Sequence, residues 1–270
     1  MKILLTGANG FLGNNILQKL DKYEIIPITR NELDLCDTKA VDEFFTGKTF
    51  DVVLHCAIDG GNRLIKEDSS CIYQNVMMAL NLHKNKKHFN KLIHFGSGAE
   101  LDRSLDIQSY MNIFEQVPSD YYGLSKNVIA RLFDNESNFH NLRIFNVFAE
   151  NESTRRMIKT SVQNYINDQP IRIHQDKMMD FFYIDDFINV LDHFITGKCF
   201  YKEMDCVYQE KISLSQIGYI VNQLSDHKVP VIVESNIIGN SYTGNYSNYF
   251  DKLSLIGLKN GIKKVYESLL

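Results

Sequence analysis

Short, continuous apolar runs alternate with amphipathic stretches through the first half of the chain. KILLT (Lys2 to Thr6), EIIPIT (Glu24 to Thr29), DVVLHCA (Asp51 to Ala57), KLIHFGS (Lys91 to Ser97) and LRIFNVF (Leu142 to Phe148) read as strands. Between them lie the helical patterns FLGNNILQKL, TKAVDEFF and CIYQNVMMALNLHKNK, then a loop and a helix opened by DYYGLSK, Asp120 to Lys126. Strands alternating with helices predict βαβ units and a parallel sheet. The strands are apolar throughout rather than at every second position, as expected of a sheet covered on both faces.

After Phe148 the pattern changes. A polar stretch leads into the helix RRMIKTSVQNYIND and the short strand IRIH; FFYIDDFINVLDHFITG then reads as a strand end and a helix returning to the sheet. A strand around Cys206 to Tyr208, a helix around Leu214 to Leu224, a strand at Val229 to Val233 and a final helix from about Gly261 complete the chain. The expected fold is α/β: a Rossmann-type doubly wound parallel sheet with a smaller, discontinuous C-terminal α/β substrate lobe. Residues 1–150 and 178–200 are assigned to the dinucleotide-binding domain, and 151–177 and 201–270 to the lobe.

The 270 residues suffice for such a core and lobe, and 44% hydrophobic with 23% charged residues is ordinary for a globular chain. The net charge of −4 gives no general attraction to nucleic acid or an anionic membrane, so neither is expected as a partner. No apolar run reaches the ~18 residues of a membrane span, and the chain enters its first strand too early for a signal peptide, which together predict a cytoplasmic location. The five cysteines are scattered without CxxC pairing and read as reduced thiols. No His, Cys, Asp or Glu group has metal-ligand spacing, so no metal is expected.

TGANGFLG places Gly7, Gly10 and Gly13 between the first strand and the first helix. There Gly7 permits the tight turn, Gly10 lets the backbone approach a pyrophosphate and Gly13 lets the helix pack against the strand. The helix N-terminus adds free N–H groups and partial positive charge. The second strand ends in PITRNELDL, with Arg30 where an acid would accept the ribose 2′-OH of NAD. An arginine there suits a 2′-phosphate, so NADP (as NADPH) is expected, and NAD less so.

In DYYGLSK, Tyr122 and Lys126 are four apart and share a helix face; Tyr121 is rotated away. A cation one turn from a phenol lowers its pKa from about 10 toward the working range, making Tyr122 an acid-base candidate. Lys126 can also hydrogen-bond the nicotinamide ribose. Ser97, at the C-terminal end of its strand, can orient a substrate carbonyl and completes a Ser97/Tyr122/Lys126 triad.

With those residues in view, the chain resembles the extended short-chain dehydrogenase/reductases of the NAD(P)-dependent nucleotide-sugar epimerase/dehydratase/reductase group. TGANGFLG, HCA, Asn75 of YQNVMMALNL, Ser97, YYGLSK, FNVF and MDFFYIDD carry the likeness, which covers most of the chain. NELDLCDTKAVDEFF and IYQNVMMALNL are similar to GDP-fucose synthase; the short C-terminal lobe is more like sugar 4-reductases such as CDP-abequose synthase. The resemblance implies cofactor contacts at Phe11, Leu12, Asp34, Leu35, Cys56, Ala57, Asn75 and Phe145, beside Tyr122 and Lys126. It implies Ser97, Asn146 and Lys177 on a nucleotide-sugar substrate, and a homodimer packed through helices, in polysaccharide biosynthesis.

The departures narrow the chemistry. Ala99 stands where GDP-fucose synthase carries a cysteine, and the helix Arg155 to Asp168 has no histidine. Ser97-Gly98-Ala99 replaces the Thr-Asp-Glu run of 4,6-dehydratases. Ring-carbon epimerisation and dehydration both need such groups. What remains is NADPH-dependent reduction of the C4 keto group of a nucleotide-diphosphate-linked 4-keto-6-deoxy sugar. The alternatives are an NAD-dependent C4 epimerase with the same triad and, from another class, a dinucleotide-binding redox-sensing regulator. Met179 replaces an arginine that contacts the diphosphate in relatives; Lys177 or the Arg155/Arg156 pair is the candidate substitute.

Overall fold

A computed structural model describes residues 1–61, 66–107 and 112–270. In chain order the first half holds β1 (Lys2–Thr6), α1 (Phe11–Lys19), β2 (Glu24–Ile28), α2 (Thr38–Phe45), β3 (Phe50–His55), α3 (Ser70–Lys84), β4 (Phe89–Ser97), α4 (Tyr121–Asp134) and β5 (Phe139–Ile144). Then come β6 (Val147–Phe148), α5 (Met157–Ile166), β7 (Ile171–Gln175), β8 (Phe182–Tyr183) and α6 (Ile184–Ile195). The chain closes with β9 (Glu203–Cys206), α7 (Leu214–Val221), β10 (Val231–Ser235) and α8 (Leu258–Glu267). Part of the loop expected before α4 lies outside the described residues.

A six-stranded sheet has the order β2-β1-β3-β4-β5-β9. β1 pairs in parallel with β2 and with β3, and β3 with β4. The winding reverses between β1 and β3, the position where open α/β sheets bind ligands outside their strand ends. The register puts Thr6 opposite His55 and His55 opposite His94, so β1 and β3 finish at one level and β4 runs on past them to Ser97. This is the parallel, doubly wound Rossmann-type arrangement expected from the apolar runs. Its core is Leu4, Val53 and Leu92 from the strands with Val41, Phe45, Ala79, Leu82, Ile129 and Phe133 from the helices. Burying each large side chain there contributes about 1.5–3 kcal/mol before entropy is counted.

The helix starts follow from local chemistry. Asp37 caps α2 by accepting from the Lys39 and Ala40 N–H groups, and Asp120 caps α4 through the Gly123 N–H at 2.7 Å. Ser213 and Gln216 form a capping box on α7.

The chain divides into two compact units: Met1–Asp102, Met111–Arg143 and Leu191–Met204 form the first, and Arg103–Tyr110, Ile144–Val190 and Asp205–Leu270 the second. Residues 144–150 and 178–190 thus fall in the second unit, where the sequence reading had placed them with the sheet domain. LRIFNVF is not one strand. It breaks after Ile144, and β6 pairs instead with β8, while the Asn146 carbonyl accepts from Phe182 N–H at 2.7 Å. In the second unit β7 and β10 form a separate parallel pair. Among the described residues no helix is long and apolar enough to cross a membrane, and no group of His, Cys, Asp and Glu could hold a metal ion.

Two buried histidines lie in the sheet of the first unit. His55 Nδ1 is 3.0 Å from the Thr6 hydroxyl, the His55 and His94 rings are 5.4 Å apart, and neither His94 nitrogen has a hydrogen-bond partner among the described residues. Burial first, then the Lys126 charge, brings the His55 pKa down to about 3, and the same causes hold His94 well below its ordinary value. Both groups are neutral when folded and protonate in the unfolded chain once the pH falls below about 6.5. Their stabilisation is therefore complete above that pH and is lost progressively on acidification toward the folded values. Unfolding free energy should drop by about 1–3 kcal/mol between about pH 7.5 and about pH 5.5, and the drop should shrink in His94→Phe. Urea melts at the two pH values check this, and equal stabilities would contradict it.

Candidate functional site

The glycine turn joins β1 to α1 in the first unit. Gly7 has φ +65°, and a Cβ there would meet the Ala57 nitrogen at 2.6 Å. That nitrogen in turn donates to Thr6 Oγ1 at 3.2 Å, so the turn is pressed onto the exit of β3. The Gly10 N–H donates to the Gly7 carbonyl at 3.0 Å. A Cβ at Gly13 would lie 2.4 Å from the Gly7 oxygen. Gly13 thus packs α1 onto the turn itself, a tighter contact than the helix-to-strand approach its spacing suggested. Among the described residues no side chain caps α1, and its first turn carries no acid. Phe11 is exposed and Leu12 half-buried at that end. A glycine turn leading into a helix N-terminus without a side-chain cap fits a dinucleotide pyrophosphate.

Arg30 is exposed just past β2. The nearest acid, Glu32, turns back and accepts from both the N–H and the hydroxyl of Thr29, each at 2.8 Å. Those two bonds hold its pKa below the ordinary value. Asp34 is exposed and accepts from the Cys36 N–H at 2.9 Å. Leu35 is buried, and its carbonyl accepts from Asn81 Nδ2 at 2.8 Å. Burial raises the Cys56 thiol far above its ordinary pKa, so it stays protonated.

Asn75 is fully buried and its amide is engaged. Its Oδ1 accepts from the Asp59 N–H at 2.7 Å, and its Nδ2 donates to the Asp59 carbonyl and to Ser125 Oγ, each at 2.9 Å. It therefore pins the segment after β3 to α4.

α4 contains both tyrosines of DYYGLSK. Tyr121 is 44% exposed, whereas Lys126 is 4% exposed with its Nζ 5.9 Å from the Tyr122 ring centroid. The spacing argument thus selects the tyrosine beside the lysine. Lys126 Nζ donates to the Phe95 carbonyl on β4 at 2.6 Å. Burial, opposed by the Glu100 charge, brings its pKa down to about 8. Gly61, φ +77°, lies against the Tyr122 ring, and Glu67 accepts from both the Gly61 and the Tyr122 N–H groups. Ser97 ends β4 and opens a single 3₁₀ turn, Gly98–Glu100, its Oγ accepting from Ala99 N–H at 3.1 Å. A Cβ at Gly123 would be 2.7 Å from the Ala99 carbonyl, so the glycine of YYGLSK lets α4 close onto the serine turn.

Sequence reasoning missed the support under that turn. Glu100 is completely buried, and it accepts from Ser97 N–H (3.0 Å), Asn141 Nδ2 (3.1 Å) and Arg143 Nε (2.8 Å). The signal was present: an arginine inside the apolar strand LRIF needs a buried partner, and GSGAELD supplies the acid.

Phe145, Asn146 and Lys177 belong to the second unit. The Phe145 ring lies 4.9 Å from that of Tyr242, tilted by 60°, and Asn146 Nδ2 donates to the Asp180 carbonyl at 2.9 Å. Lys177 is half-buried at the start of α7, its carbonyl accepting from Leu214 N–H at 3.1 Å. Arg156 is engaged by the Val147 carbonyl and Glu152, while Arg155 is exposed. Met179 is buried. Lys211, not singled out from sequence, pairs with Asp180 at 2.7 Å, and Asp180 also accepts from Gly244 N–H. The polar and aromatic stretch from Asn240 is thereby anchored within its unit, with Asn240 Nδ2 donating to Ser104 O at 2.7 Å.

Comparison with known proteins finds relatives in both sequence and fold. GDP-L-colitose synthase of Yersinia pseudotuberculosis is 33% identical over 112 residues, 39% of this chain and 36% of the relative. GDP-L-fucose synthase of Escherichia coli is 31% identical over 105 residues, covering 36% of the chain and 32% of that protein. The aligned stretches thus span about a third of these relatives. Among solved structures, a GDP-mannoheptose C4 reductase from Campylobacter jejuni with NADP bound superposes with a TM-score of 0.81 at 18% identity, over 99% of this chain and 98% of the other. That likeness concerns the fold. A model of the NAD dependent epimerase/dehydratase family matches residues 3–199, and with the glycine cradle and the Tyr122/Lys126 face in place the chain belongs to that family.

Proposed function

We propose that the protein is an NADPH-dependent 4-ketoreductase acting on a nucleotide-diphosphate-linked 4-keto-6-deoxy sugar. The observation that carries this reading is the buried Lys126 beside Tyr122 on one face of α4, with Ser97 ending the neighbouring strand. The names of the relatives support the substrate class: two are GDP-sugar synthases and one a GDP-sugar C4 reductase.

When bound, the nicotinamide supplies hydride. Tyr122 donates the proton that the C4 oxygen takes up, and Ser97 orients that oxygen. Lys126, held by the Phe95 carbonyl, favours the phenolate that remains and holds the ribose. Ala99 is a buried methyl where an epimerising relative needs a thiol, so proton exchange at ring carbons has no acid there. Phe11, Leu12 and the glycine backbone hold the pyrophosphate, and Asp34, Leu35, Cys56, Ala57, Asn75 and Phe145 belong to the cofactor's surroundings. Asn146 and Lys177 serve the substrate. The protein acts as a homodimer on this reading.

The decisive experiment is NADPH oxidation against GDP-, CDP-, dTDP- and UDP-linked 4-keto-6-deoxy sugars, run in heavy water. Product should appear with no deuterium at C3 or C5 beyond the no-enzyme control. Deuterium incorporated at the rate of turnover would reveal an epimerase-reductase, and protein purified with tightly held NAD would favour the C4 epimerase.

Tyr122→Phe should abolish reduction with cofactor affinity nearly unchanged, while Tyr121→Phe keeps most of the activity. Steady-state rates beside fluorescence titration of NADPH separate the two, and an inactive Tyr121→Phe would reverse the assignment.

Arg30 sets the cofactor preference. A charge-assisted contact to a 2′-phosphate is worth about ten- to a hundredfold in affinity. Arg30→Ala should lose that factor for NADPH and leave NADH binding in place. Equal affinities of the unmodified protein for the two cofactors would exclude this role.

A further inference from the structure

The carboxylate of Glu100 lies under the Ser97 turn and takes no part in the proton transfer assigned above. Its residue is completely buried, and its oxygens accept from the Ser97 N–H at 3.0 Å, from Asn141 Nδ2 at 3.1 Å and from Arg143 Nε at 2.8 Å. Arg143 is buried too and passes its other arm to Glu203, Nη2 to Oε2 at 2.8 Å. The backbone is shaped around this carboxylate. A Cβ on Gly96 would fall 2.1 Å from Glu100 Oε1 and 2.2 Å from Asn141 Oδ1, so only glycine fits before Ser97. The Glu100 carbonyl accepts from Asn127 Nδ2 at 2.7 Å, and Asn127 follows Lys126 on α4. One residue therefore ties three parts together: the Ser97 backbone, the edge of β5 and the helix that carries Tyr122 and Lys126.

A buried ion pair is a poor device for stability alone, since desolvating both charges offsets much of their attraction. A carboxylate kept in such a place needs another reason. We propose that Glu100 is a positioning residue of the catalytic site, fixing the Ser97 turn through its pair with Arg143 and supplying the buried counter-charge to Lys126. This inference rests on the ketoreductase reading for its kinetic consequence, while the ties of Glu100 to the Ser97 N–H, to Arg143 and, through its own carbonyl, to Asn127 beside Lys126 stand without it.

The surroundings of Lys126 show why a counter-charge matters. Burial works against the ammonium, and the neutral imidazoles of His55 and His94 and the thiols of Cys56 and Cys71 face it from β3, β4 and α3. Glu100 leads the influences that oppose that desolvation and keep the lysine protonated up to about pH 8. Without the carboxylate, Lys126 loses its proton at lower pH and no longer favours the Tyr122 phenolate.

Glu100→Gln keeps an acceptor for the Ser97 N–H and removes the charge. NMR titration of the lysine side chains, with Lys126→Met to assign the signal, should show Lys126 titrating at lower pH in Glu100→Gln than in the unmodified protein. For a sugar that the unmodified protein reduces, kcat should fall roughly tenfold to a hundredfold, the scale of a small misplacement of a catalytic group. The alkaline limb of the kcat/KM profile should move to lower pH, with NADPH affinity unchanged. A merely structural role would lower the melting temperature and leave both the Lys126 titration and the pH profile in place, and that outcome overturns the proposal. Should Glu100→Gln not fold, Glu100→Asp keeps the charge and shortens its reach to the Ser97 N–H and Arg143; kcat should then fall roughly tenfold, and an unchanged kcat in that folded variant overturns the proposal equally. The titration needs no substrate. A protein that reduces none of the sugars would therefore refute the ketoreductase reading, while the Lys126 signal still decides the role of Glu100.

Discussion

The organisation of the first unit turns on one buried hydrogen bond, in which the Lys126 amine donates to the Phe95 carbonyl at 2.6 Å. It binds α4 to the C-terminal end of β4, where the backbone leaves the sheet and its carbonyls lose strand partners. An ammonium buried there constrains everything around it. His55 and His94 must remain neutral, and an acid must lie close enough to offset the desolvation, while burial keeps the Cys56 thiol protonated against the pull of that charge. The helix must also approach closely, which Gly123 permits by giving up its side chain to the Ala99 carbonyl. The aromatic ring that benefits, Tyr122, is one turn back along α4 and is braced by Gly61 and Glu67.

Amide side chains carry out the remaining alignment. Asn75 joins the segment after β3 to Ser125, Asn127 joins α4 to the Glu100 carbonyl, and Asn141 joins β5 to the Glu100 carboxylate. Each is buried; Asn75 uses both ends of its amide, whereas Asn141 Oδ1 has no hydrogen-bond partner among the described residues. Such networks discriminate sharply between geometries, because a single unpaired member costs about 1–3 kcal/mol. The catalytic helix and the serine turn are therefore set by hydrogen-bond directions as well as by packing.

Much of this was legible in the residues. The period of the apolar runs located β1 to β4 and the helices between them, and the four-residue spacing in DYYGLSK separated Tyr122 from Tyr121. Gly7 and Gly13 declared the turn because each must lack a side chain for a contact the structure shows. What escaped was non-local. Nothing in LRIFNVF reveals that the strand stops at Ile144, since the reason is β8, which follows in the sequence only after α5 and β7. The strand near Cys206 begins earlier, at Glu203, because its pairing with β5 and not its own pattern decides its extent. Asn75 could be placed by resemblance on the cofactor, yet its bonds to Asp59 and Ser125 are visible only once three separate segments meet. Glu100 and Arg143 form the same kind of case, two charges far apart in the chain whose burial makes sense only together.

The commitment of Glu100 also bears on what the site can do to a keto sugar. A carboxylate beside a catalytic serine is the group a dehydratase or an epimerase would recruit to take a proton from a ring carbon. Here its oxygens are turned inward, accepting from a backbone N–H, an amide and a guanidinium, and its residue is wholly removed from solvent. A base must offer a lone pair toward its substrate, and these point at partners inside the unit instead. At the next position back stands Ala99, also fully buried and without a titratable group. The turn that presents Ser97 thus holds its acid in hydrogen bonds inside the unit, and on the proposed reading the Tyr122 hydroxyl is the proton donor. A turn built this way suits a reaction that moves one proton to one oxygen, which is the demand that carbonyl reduction makes.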